Sequence, residues 1–335
     1  MQLAFYGAVR TVTGSNFLLR AGDLKILIDC GMFQGDEDET NRQPFPYNPV
    51  DVDYLLLTHA HIDHSGRIPL LVRSGFRGTI LAHGATVDLC AIMLLDSAHI
   101  QEMEAEWVNR KRTRAGEPPI PPLYTTADAQ ESLKHFRPVS YGVPIELGDG
   151  VHVTFRDAGH ILGSSILEVT YPDGSLTRKI VFTGDLGQKG TPILRDPEII
   201  EDADFVVMES TYGNRLHDEP GLKEVRLATV MRETSRVRGN LIIPAFAVGR
   251  TQEMLYHMNG LIEEGKVPSV PVFVDSPLAA SATEIFRRHP ECYDAEARRQ
   301  IENGDDPFWF PRLRSTRSSE ESKALNFLEE PAVIL

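Results

Sequence analysis

The stretch Thr58-His59-Ala60-His61-Ile62-Asp63-His64 directly follows the short apolar run Val52–Leu57, which we interpret as a buried strand. Three histidines and an aspartate within six positions at a strand end offer the nitrogen and oxygen ligands that zinc accepts. The first two histidines alternate in an extended segment and can face one metal ion, while the aspartate and the third histidine turn toward a second. Since the chain has only 11 histidines, a metal site explains this cluster better than chance crowding on a surface loop.

Three other strand ends carry residues of the same chemistry. The segment Asp157-Ala158-Gly159-His160 ends one predicted strand, and Phe182-Thr183-Gly184-Asp185 ends the next pair of strands. In both segments a potential ligand lies beside glycine, where the chain can approach an ion without a side-chain clash. An isolated histidine or aspartate at a strand end is usually a capping or turn residue, but the repeated pattern favours His160 and Asp185 as ligands. Asp29, which ends a further strand, is predicted to orient a ligand histidine.

The predicted secondary structure changes character near residue 209. Before it, short apolar runs separated by turns predict strands at Leu3–Tyr6, Phe17–Leu19, Lys25–Ile28, Val52–Leu57, Thr79–Ala82 and between Val143 and Phe182. The helices predicted in the same part are Ser65–Arg73 and Ala85–Arg112. After it, helices and strands alternate, which is typical of an α/β unit with a parallel sheet. We therefore predict two domains, 1–208 and 209–335, with their boundary at 208–215.

The bulk composition is that of an ordinary globular protein. Its 335 residues are 41% hydrophobic and 24% charged, which is enough apolar material for one large or two medium cores. The three cysteines form no C-x-x-C pair, and neither a signal peptide nor an apolar segment of membrane length is recognisable. We therefore expect a cytoplasmic protein with no membrane partner. The net charge of −14 argues mildly against a nucleic-acid partner, although bound cations can reverse the local sign.

The histidine-rich motif and the two downstream ligand candidates together resemble the signature of the metallo-β-lactamase superfamily. The resemblance implies an α/β fold, an αββα sandwich with a dinuclear metal site between its two sheets. The ligands that it implies, with Asp185 bridging two zinc ions, are His59, His61 and His160 for the first ion and Asp63 and His64 for the second. The motif is specific to the level of the superfamily, which also contains lactamases, glyoxalases and lactonases.

Four further segments resemble the β-CASP group of that superfamily, nucleases related to the subunit that cleaves pre-mRNA 3′ ends. They are Gly7–Ser15, Met208–Gly213, Ile243–Glu253 and Val274–Ala279. The resemblance runs essentially from end to end, and it implies an appended or inserted β-CASP domain of the α/β type with a parallel sheet. It also implies a zinc-dependent ribonuclease that cuts single-stranded or structured RNA internally, with 5′→3′ trimming as a second activity. Glu209 matches the group's first characteristic acidic residue.

The implied mechanism uses metal ions to activate water. Two divalent ions about 3.5–4 Å apart share a water and lower its pKa toward neutrality, and the resulting hydroxide attacks phosphorus in line. Asp63 and Asp185 would hold the ions. Glu209 would orient one of the β-CASP group's further histidines, which this sequence does not contain and which would protonate the leaving oxygen. In the second domain, Arg250 at a strand-to-helix junction is the candidate for phosphate binding, and Ser276 at the next strand end could assist it.

Two basic runs beside aromatic residues are weaker candidates for RNA contacts. They are Arg110–Arg114 beside Trp107, and Arg312–Arg317 beside Phe308–Phe310. Basic and aromatic side chains together suit single-stranded nucleic acid, but a charge run is more often a solvated helix face. The remaining histidines on or beside predicted helices, which we interpret as ordinary surface or core residues, are His217, His257 and His289.

Several alternatives stay open on the sequence alone. The β-CASP group continues past Pro331–Ile334 with two further histidine motifs, so we expect either a fragment of a longer protein, which we favour, or an incomplete second metal site. The competing functions are a DNA-processing nuclease, a small-molecule metallo-hydrolase and a non-catalytic scaffold subunit. A small-molecule hydrolase would not need residues 209–335, and the intact histidine cluster speaks against a silent scaffold. A homodimer is one candidate assembly.

Overall fold

Two compact units make up the part of the chain that the computed structural model describes, residues 1–216 and 222–335. The first unit comprises Met1–Leu186 and Pro197–Thr211, and the second comprises Gly187–Asp196 and Tyr212–Leu335. The domain limits 1–208 and 209–335 stay a prediction, and His217 lies outside the described residues.

The first sheet of the first unit has six strands in sequence order. They are β1 (Gln2–Phe5), β2 (Phe17–Ala21), β3 (Leu24–Ile28), β4 (Tyr54–Leu56), β5 (Thr79–His83) and β6 (Phe136–Val139). Strands β1, β2 and β3 pair antiparallel, whereas β3, β4, β5 and β6 run parallel. Alternate residues of the central strands, such as Leu27, Leu55 and Ile80, are fully buried on the face that lies away from the second sheet. This sheet is therefore covered on both faces, as parallel strands require.

The second sheet packs against the first and closes the core. Its strands are β7 (Ile145–Gly148), β8 (Val151–Asp157), β9 (Ser165–Asp173), β10 (Leu176–Phe182) and β11 (Phe205–Val207), in the spatial order β11-β10-β9-β8-β7. Only β10 and β11 are parallel neighbours. Buried and partly exposed residues alternate along β8, and its inward-facing Val153 and Phe155 share one apolar cluster with Ile28 and Leu56 of the first sheet. The two sheets therefore form a sandwich.

Helices cover the outer face of the first sheet. They are α1 (Ile62–Ser65), α2 (Ile68–Arg73), α3 (Gly84–Arg114) and α4 (Thr126–Leu133), and short 3-10 turns occupy Gly35–Arg42 and Pro49–Asp51. Helix α3 contacts β5 and β6, and α4 packs against α2 and α3. Among the described residues, no helix combines the length and the apolar character that crossing a membrane would demand.

The helix predicted at Ser65–Arg73 is wrong in its start and in its continuity. Helix α1 begins at Ile62 and ends at Ser65, and α2 follows after a break of two residues. The break arises because carbonyl groups of α1 accept hydrogen bonds from distant amides, those of Ser15 at 2.9 Å and Cys30 at 2.8 Å. The amide just before α2 bonds in turn to the carbonyl of Cys30 at 2.9 Å. Contacts from elsewhere in the chain thus replace the bonds that a continuous helix would need.

The second unit is built around a four-stranded parallel sheet, which confirms the predicted α/β pattern. Its strands are β12 (Leu241–Ile242), β13 (Val272–Val274), β14 (Leu313–Ser315) and β15 (Val333–Ile334), in the order β12-β15-β13-β14. The helices are α5 (Leu222–Arg236), α6 (Arg250–Glu263), α7 (Pro277–Arg288), α8 (Ala295–Glu302) and α9 (Ser319–Ala324), with 3-10 turns at Pro290–Cys292 and Leu325–Phe327. Because the strands are parallel, the segments that follow β12 and β13 leave the sheet at the same edge.

Phe155 tests the core between the two sheets, because its ring is fully buried there. Phe155→Ala should lower the free energy of unfolding by about 3–5 kcal/mol, through lost apolar burial and the cavity left behind. Hydrogen exchange of peptides from β9 and β10 measures this loss within the first unit alone. The matched control is Phe205, which is 48% exposed; Phe205→Ala should cost less than about 1 kcal/mol. Equal losses for the two variants would contradict the sandwich core.

Candidate metal centre

Four potential ligands from three strand ends converge at one end of the sandwich. His59 and His61 follow β4, His160 follows β8 and Asp185 follows β10, and one ligand atom of each lies within 4.8 Å of all the others. The Nδ1 atom of His61 lies 3.1 Å from Nε2 of His59 and 3.2 Å from Nε2 of His160. The Oδ2 atom of Asp185 lies 3.5 Å from Nε2 of His160 and 3.9 Å from Nε2 of His59. Three nitrogens and one oxygen therefore surround a single point.

This group has the dimensions and the protonation state that a divalent cation needs. Ligand atoms held at about 2.0–2.1 Å in a tetrahedral site lie about 3.3 Å from one another, which is close to the observed range of 3.1 to 3.9 Å. Burial, together with repulsion from neighbouring imidazoles, lowers the pKa of His59 well below its usual value and that of His61 to about 3. Burial also lowers the pKa of His160. The rings are therefore neutral, and neutral imidazole is the form that binds metal.

A second group of ligand atoms adjoins the first and shares Asp185 with it. The Nε2 atom of His64 lies 3.2 Å from Oδ1 of Asp185 and 3.8 Å from Oδ2 of Asp63. Since Oδ2 of Asp185 faces the first group, the two oxygens of this carboxylate address two sets of ligands. Burial alone would raise the pKa of Asp185, but the hydrogen bond from His64 and the nearby imidazoles lower it to about 2. Asp185 is therefore ionised.

Asp29 is buried behind His64 and fixes the orientation of its ring. The Oδ2 atom of Asp29 accepts hydrogen bonds from Nδ1 of His64 at 2.7 Å and from Oγ of Ser15 at 2.9 Å. Its Oδ1 atom accepts from the amide and the hydroxyl of Thr58 at 2.8 and 3.0 Å. Burial opposes protonation of His64, yet the carboxylates of Asp29 and Asp185 hold its pKa well above the usual value. A metal ion bound at Nε2 would thus take the place of a proton whose positive charge these carboxylates stabilise.

Small residues allow the strand ends to approach so closely. Gly184 has a φ of 53°, and a Cβ atom there would lie 2.8 Å from Cβ of Thr58. A Cβ atom on Gly31 would lie 1.6 Å from a carbonyl oxygen of α1. The Oγ atom of Ser164 accepts a hydrogen bond from the amide of His160 at 3.0 Å and so fixes the loop that carries this ring.

Glu209, which follows β11, lies beside the loop of Asp185. Its Oε1 atom accepts a hydrogen bond from the amide of Leu186 at 3.0 Å, and its own amide donates to Oγ1 of Thr183 at 3.4 Å. A cleft of about 550 Å³ opens here, and His64, Asp185 and Glu209 are among the residues that line it. The structure thus brings together all of the site residues predicted in the first unit. Their individual roles stay predictions.

The two residues predicted to bind substrate in the second unit have partners of their own. Arg250 begins α6 and forms an ion pair with Glu253 at 2.5 Å, while its side chain is 49% exposed. Ser276 is the N-cap of α7, and its Oγ atom accepts a hydrogen bond from the amide of Ala279 at 3.1 Å. Their roles in substrate binding stay predictions.

Each of the two basic runs has one exposed tryptophan beside it, and the second run also has two buried phenylalanines. Trp107 is 55% exposed, and Nζ of Lys111 lies 3.5 Å from the centre of its ring. In the second run, Phe308 and Phe310 are buried, and Phe308 packs edge-on against two other aromatic rings. Arg312 forms an ion pair at 2.5 Å. Phe308 and Phe310 therefore belong to the core, whereas Trp309 between them is 58% exposed, and the role of this run in RNA contacts stays a prediction.

Three residues that hold the ligands escaped the sequence analysis: Ser15, Thr58 and Ser164. Thr58 did carry a signal, since it directly precedes the first histidine and its hydroxyl lies 3.1 Å from Nδ1 of His59. Ser15 lies 14 residues from its partner Asp29, and Ser164 lies four residues after the histidine whose loop it fixes. Ser15 ends the segment Gly7–Ser15 that resembles the β-CASP group, but this resemblance did not indicate a contact with Asp29, and Ser164 belongs to no segment that the sequence analysis singled out.

The sandwich and the two sets of ligands define a metal-dependent hydrolase. The chain belongs to the metallo-beta-lactamase superfamily, whose sequence profile matches residues 9–227, well over half of its length. The profile of the Beta-Casp domain matches residues 251–335. The first range contains every residue of the candidate metal centre, and the second contains most of the parallel-sheet unit.

Similar proteins include a ribonuclease and transcription termination factors. Ribonuclease TTHA0252 of Thermus thermophilus is 37% identical over 336 residues, which span all of this chain and 72% of that protein. Transcription termination factor FttA of Methanosarcina mazei is 33% identical over 339 residues, and this chain spans half of its length. A crystal structure of a protein of unknown function from Enterococcus faecalis V583 matches 99% of this chain and 76% of its own, with a TM-score of 0.51 at 15% identity. That likeness concerns the fold alone.

Asp29→Asn tests the support of His64. Asparagine keeps the shape of the side chain and tolerates the φ of 55° at this position, but it removes the charge that orients the ring. Affinity for a divalent metal should fall about 10- to 100-fold in competition with a chromogenic chelator. The control is Asp53→Asn, at an exposed carboxylate that accepts from the amide of Lys25 at 2.8 Å. Unchanged metal affinity in Asp29→Asn would contradict the assigned role.

Proposed function

We propose that this protein is a zinc-dependent ribonuclease that hydrolyses RNA phosphodiester bonds. The observation that carries the proposal is the position of Asp185, whose two carboxylate oxygens face two separate sets of ligands, 3.2 Å from His64 and 3.5 Å from His160. Paired metal ions suit phosphodiester hydrolysis because they stabilise both the attacking and the leaving oxygen. The names of the two similar proteins, a ribonuclease and a transcription termination factor, support RNA as the substrate.

Zinc fits the ligands better than a harder cation does, since imidazole nitrogens predominate. The residues that would hold the two ions, with the carboxylate of Asp185 shared, are His59, His61, His160, Asp63 and His64. When bound, the ions supply an activated water and neutralise charge on the phosphate.

The protein's own groups prepare the site for this chemistry. Asp29 accepts a hydrogen bond from Nδ1 of His64, so that Nε2 faces the second set of ligands and would offer its lone pair once a cation replaces the proton there. Glu209 fixes the backbone just after Asp185 through the amide of Leu186 and lines the cleft that would receive the phosphate. Glu209 would thus position Asp185. Its predicted second role is contact with a histidine that donates a proton to the leaving oxygen.

Internal cleavage is the proposed main mode, and 5′→3′ trimming is the proposed second mode. The resemblance of Gly7–Ser15 and Met208–Gly213 to the β-CASP group supports both modes.

The proposed domain limits are 1–208 for the metallo-β-lactamase domain and 209–335 for the β-CASP domain, and the proposed location is the cytoplasm. This chain spans 72% of the similar ribonuclease, so the activity is proposed for the whole protein.

The double variant Asp63→Ala, His64→Ala tests the metal centre in the full-length protein. Loss of the second set of ligands should lower kcat/KM for RNA cleavage by at least about 10²- to 10³-fold. Elemental analysis should show fewer zinc ions per protein than the two or so expected for the wild type. The control is His99→Ala, at an exposed position on α3. Undiminished cleavage by the double variant, with its fold intact by circular dichroism, would rule out these ligands.

Labelled RNA and DNA of matched sequence separate the competing functions. With the full-length protein, RNA should be cut to products with a 5′-phosphate and a 3′-hydroxyl, and a chelator should abolish the cut. Faster cleavage of DNA than of RNA would favour the DNA-processing alternative. Hydrolysis of small esters or lactones without cleavage of either polymer would refute the proposal.

A further inference from the structure

The segment Gly7–Ser15 forms a loop between β1 and β2 whose two ends touch each other. A Cβ atom on Gly7 would lie 1.8 Å from the carbonyl oxygen of Gly14. Gly14 has a φ of 81°, and a Cβ atom there would lie 2.5 Å from the ring of Phe33. Only glycine fits at these two positions, so the loop is closed at its base.

The base of this loop is also tied to the metal centre. Ser15 donates a hydrogen bond from Oγ to Asp29 at 2.9 Å and another from its amide to the carbonyl of Asp63 at 2.9 Å. The hydroxyl of Thr13 accepts from the amide of Gln34 at 3.0 Å. The loop therefore keeps a defined position relative to the candidate ligands.

Arg10 lies at the tip of the loop in a conformation that arginine rarely adopts. Its φ is 61°, and that of Ala8 is 50°. Such backbone strain is concentrated at sites that bind ligands. The Arg10 side chain is exposed, and it forms no hydrogen bond or ion pair with any other residue that the structure describes. Its guanidinium is thus available to an external anion.

Arg10 lies in a cleft whose other charged residues include candidate metal ligands. Arg10 lines the 550 Å³ cleft together with His64, Asp185 and Glu209, and no lysine or other arginine of the described chain lines it. Arg10 shares this cleft with the carboxylates of Asp185 and Glu209 and pairs with neither, so an anionic group of a ligand can serve as its partner. Its planar fork of donors matches two oxygens of one phosphate.

We propose that Arg10 binds a phosphate of the RNA next to the scissile one and so sets the position of the substrate over the metal centre. The inference rests on the proposed ribonuclease function, because the ligand is a second phosphate of the same RNA strand. The hydrogen bonds of Ser15 anchor the base of the loop to Asp29 and Asp63, and so limit the distance between a phosphate bound at Arg10 and the candidate ligands.

The test is the salt dependence of RNA cleavage by full-length Arg10→Ala, Arg10→Lys and Arg20→Ala. Arg20, exposed on β2, serves as the matched control because it lies outside the cleft. Arg10→Ala should raise KM about 10- to 100-fold with little change in kcat. The slope of log(kcat/KM) against log salt should fall by about 0.7, as expected for the loss of one single-strand phosphate contact. Arg10→Lys should keep the slope and show an intermediate KM, since it retains the charge but not the fork.

The outcomes separate the two proposals. Normal cleavage by the wild type with an unchanged salt slope in Arg10→Ala overturns the inference alone. Loss of zinc from Arg10→Ala also overturns it, because the residue would then serve the structure of the site. A wild-type protein that cleaves no RNA overturns the proposed function and this inference with it. An Arg20→Ala effect equal to that of Arg10→Ala would show general charge attraction and overturn the specific contact.

Discussion

Convergence of separate strand ends on one point is the constraint on which the whole site depends. Strands β3, β4, β8 and β10 all end beside the candidate ligands. The carboxylate of Asp29, which follows β3, bonds to Ser15 in the loop before β2 and to Thr58 and His64 in the stretch after β4. A slip of one residue in any of these strands would turn its side chains to the opposite face. The register is set by the core, in which Ile28 of β3 packs in one cluster with residues of both sheets. The apolar interior thus fixes the geometry of the polar site.

The same site concentrates negative charge in a protein that is already acidic. The net charge is −14, and four carboxylates, those of Asp29, Asp63, Asp185 and Glu209, lie at or beside one end of the sandwich. Partly buried carboxylates this close together repel one another unless cations lie among them. Two divalent ions would offset these four negative charges and so allow an acidic chain to hold a polyanion at this site. The net negative charge of the chain is therefore compatible with an anionic substrate at a metal-loaded site.

The sequence predicted which residues meet at the site because they are local signals, with each histidine or aspartate lying at or near the end of an apolar strand. Their role as metal ligands stays a prediction. It failed where distant contacts decide the local structure, as at the break between α1 and α2, where amides of Ser15 and Cys30 capture the helix carbonyls. Helix α4 was missed although its start carries a capping box between Thr125 and Asp128.

The order of the second unit's sheet was also beyond the sequence. Strand β15 has only two residues, and it lies between β12 and β13, two strands that come far earlier in the chain. Pairing of this kind depends on the tertiary structure, and so short a run has no periodicity of its own. The burial of Phe308 likewise depends on the tertiary structure. This residue lies near arginines in the sequence, but its ring is part of the core.

The most direct test of the account is an anomalous difference map from crystals of the full-length protein, recorded at the zinc absorption edge. The account predicts two peaks about 3.5–4 Å apart, one among His59, His61 and His160 and the other beside His64, with Asp185 between them. A single peak remote from Asp185, or no peak after zinc is supplied, would contradict it.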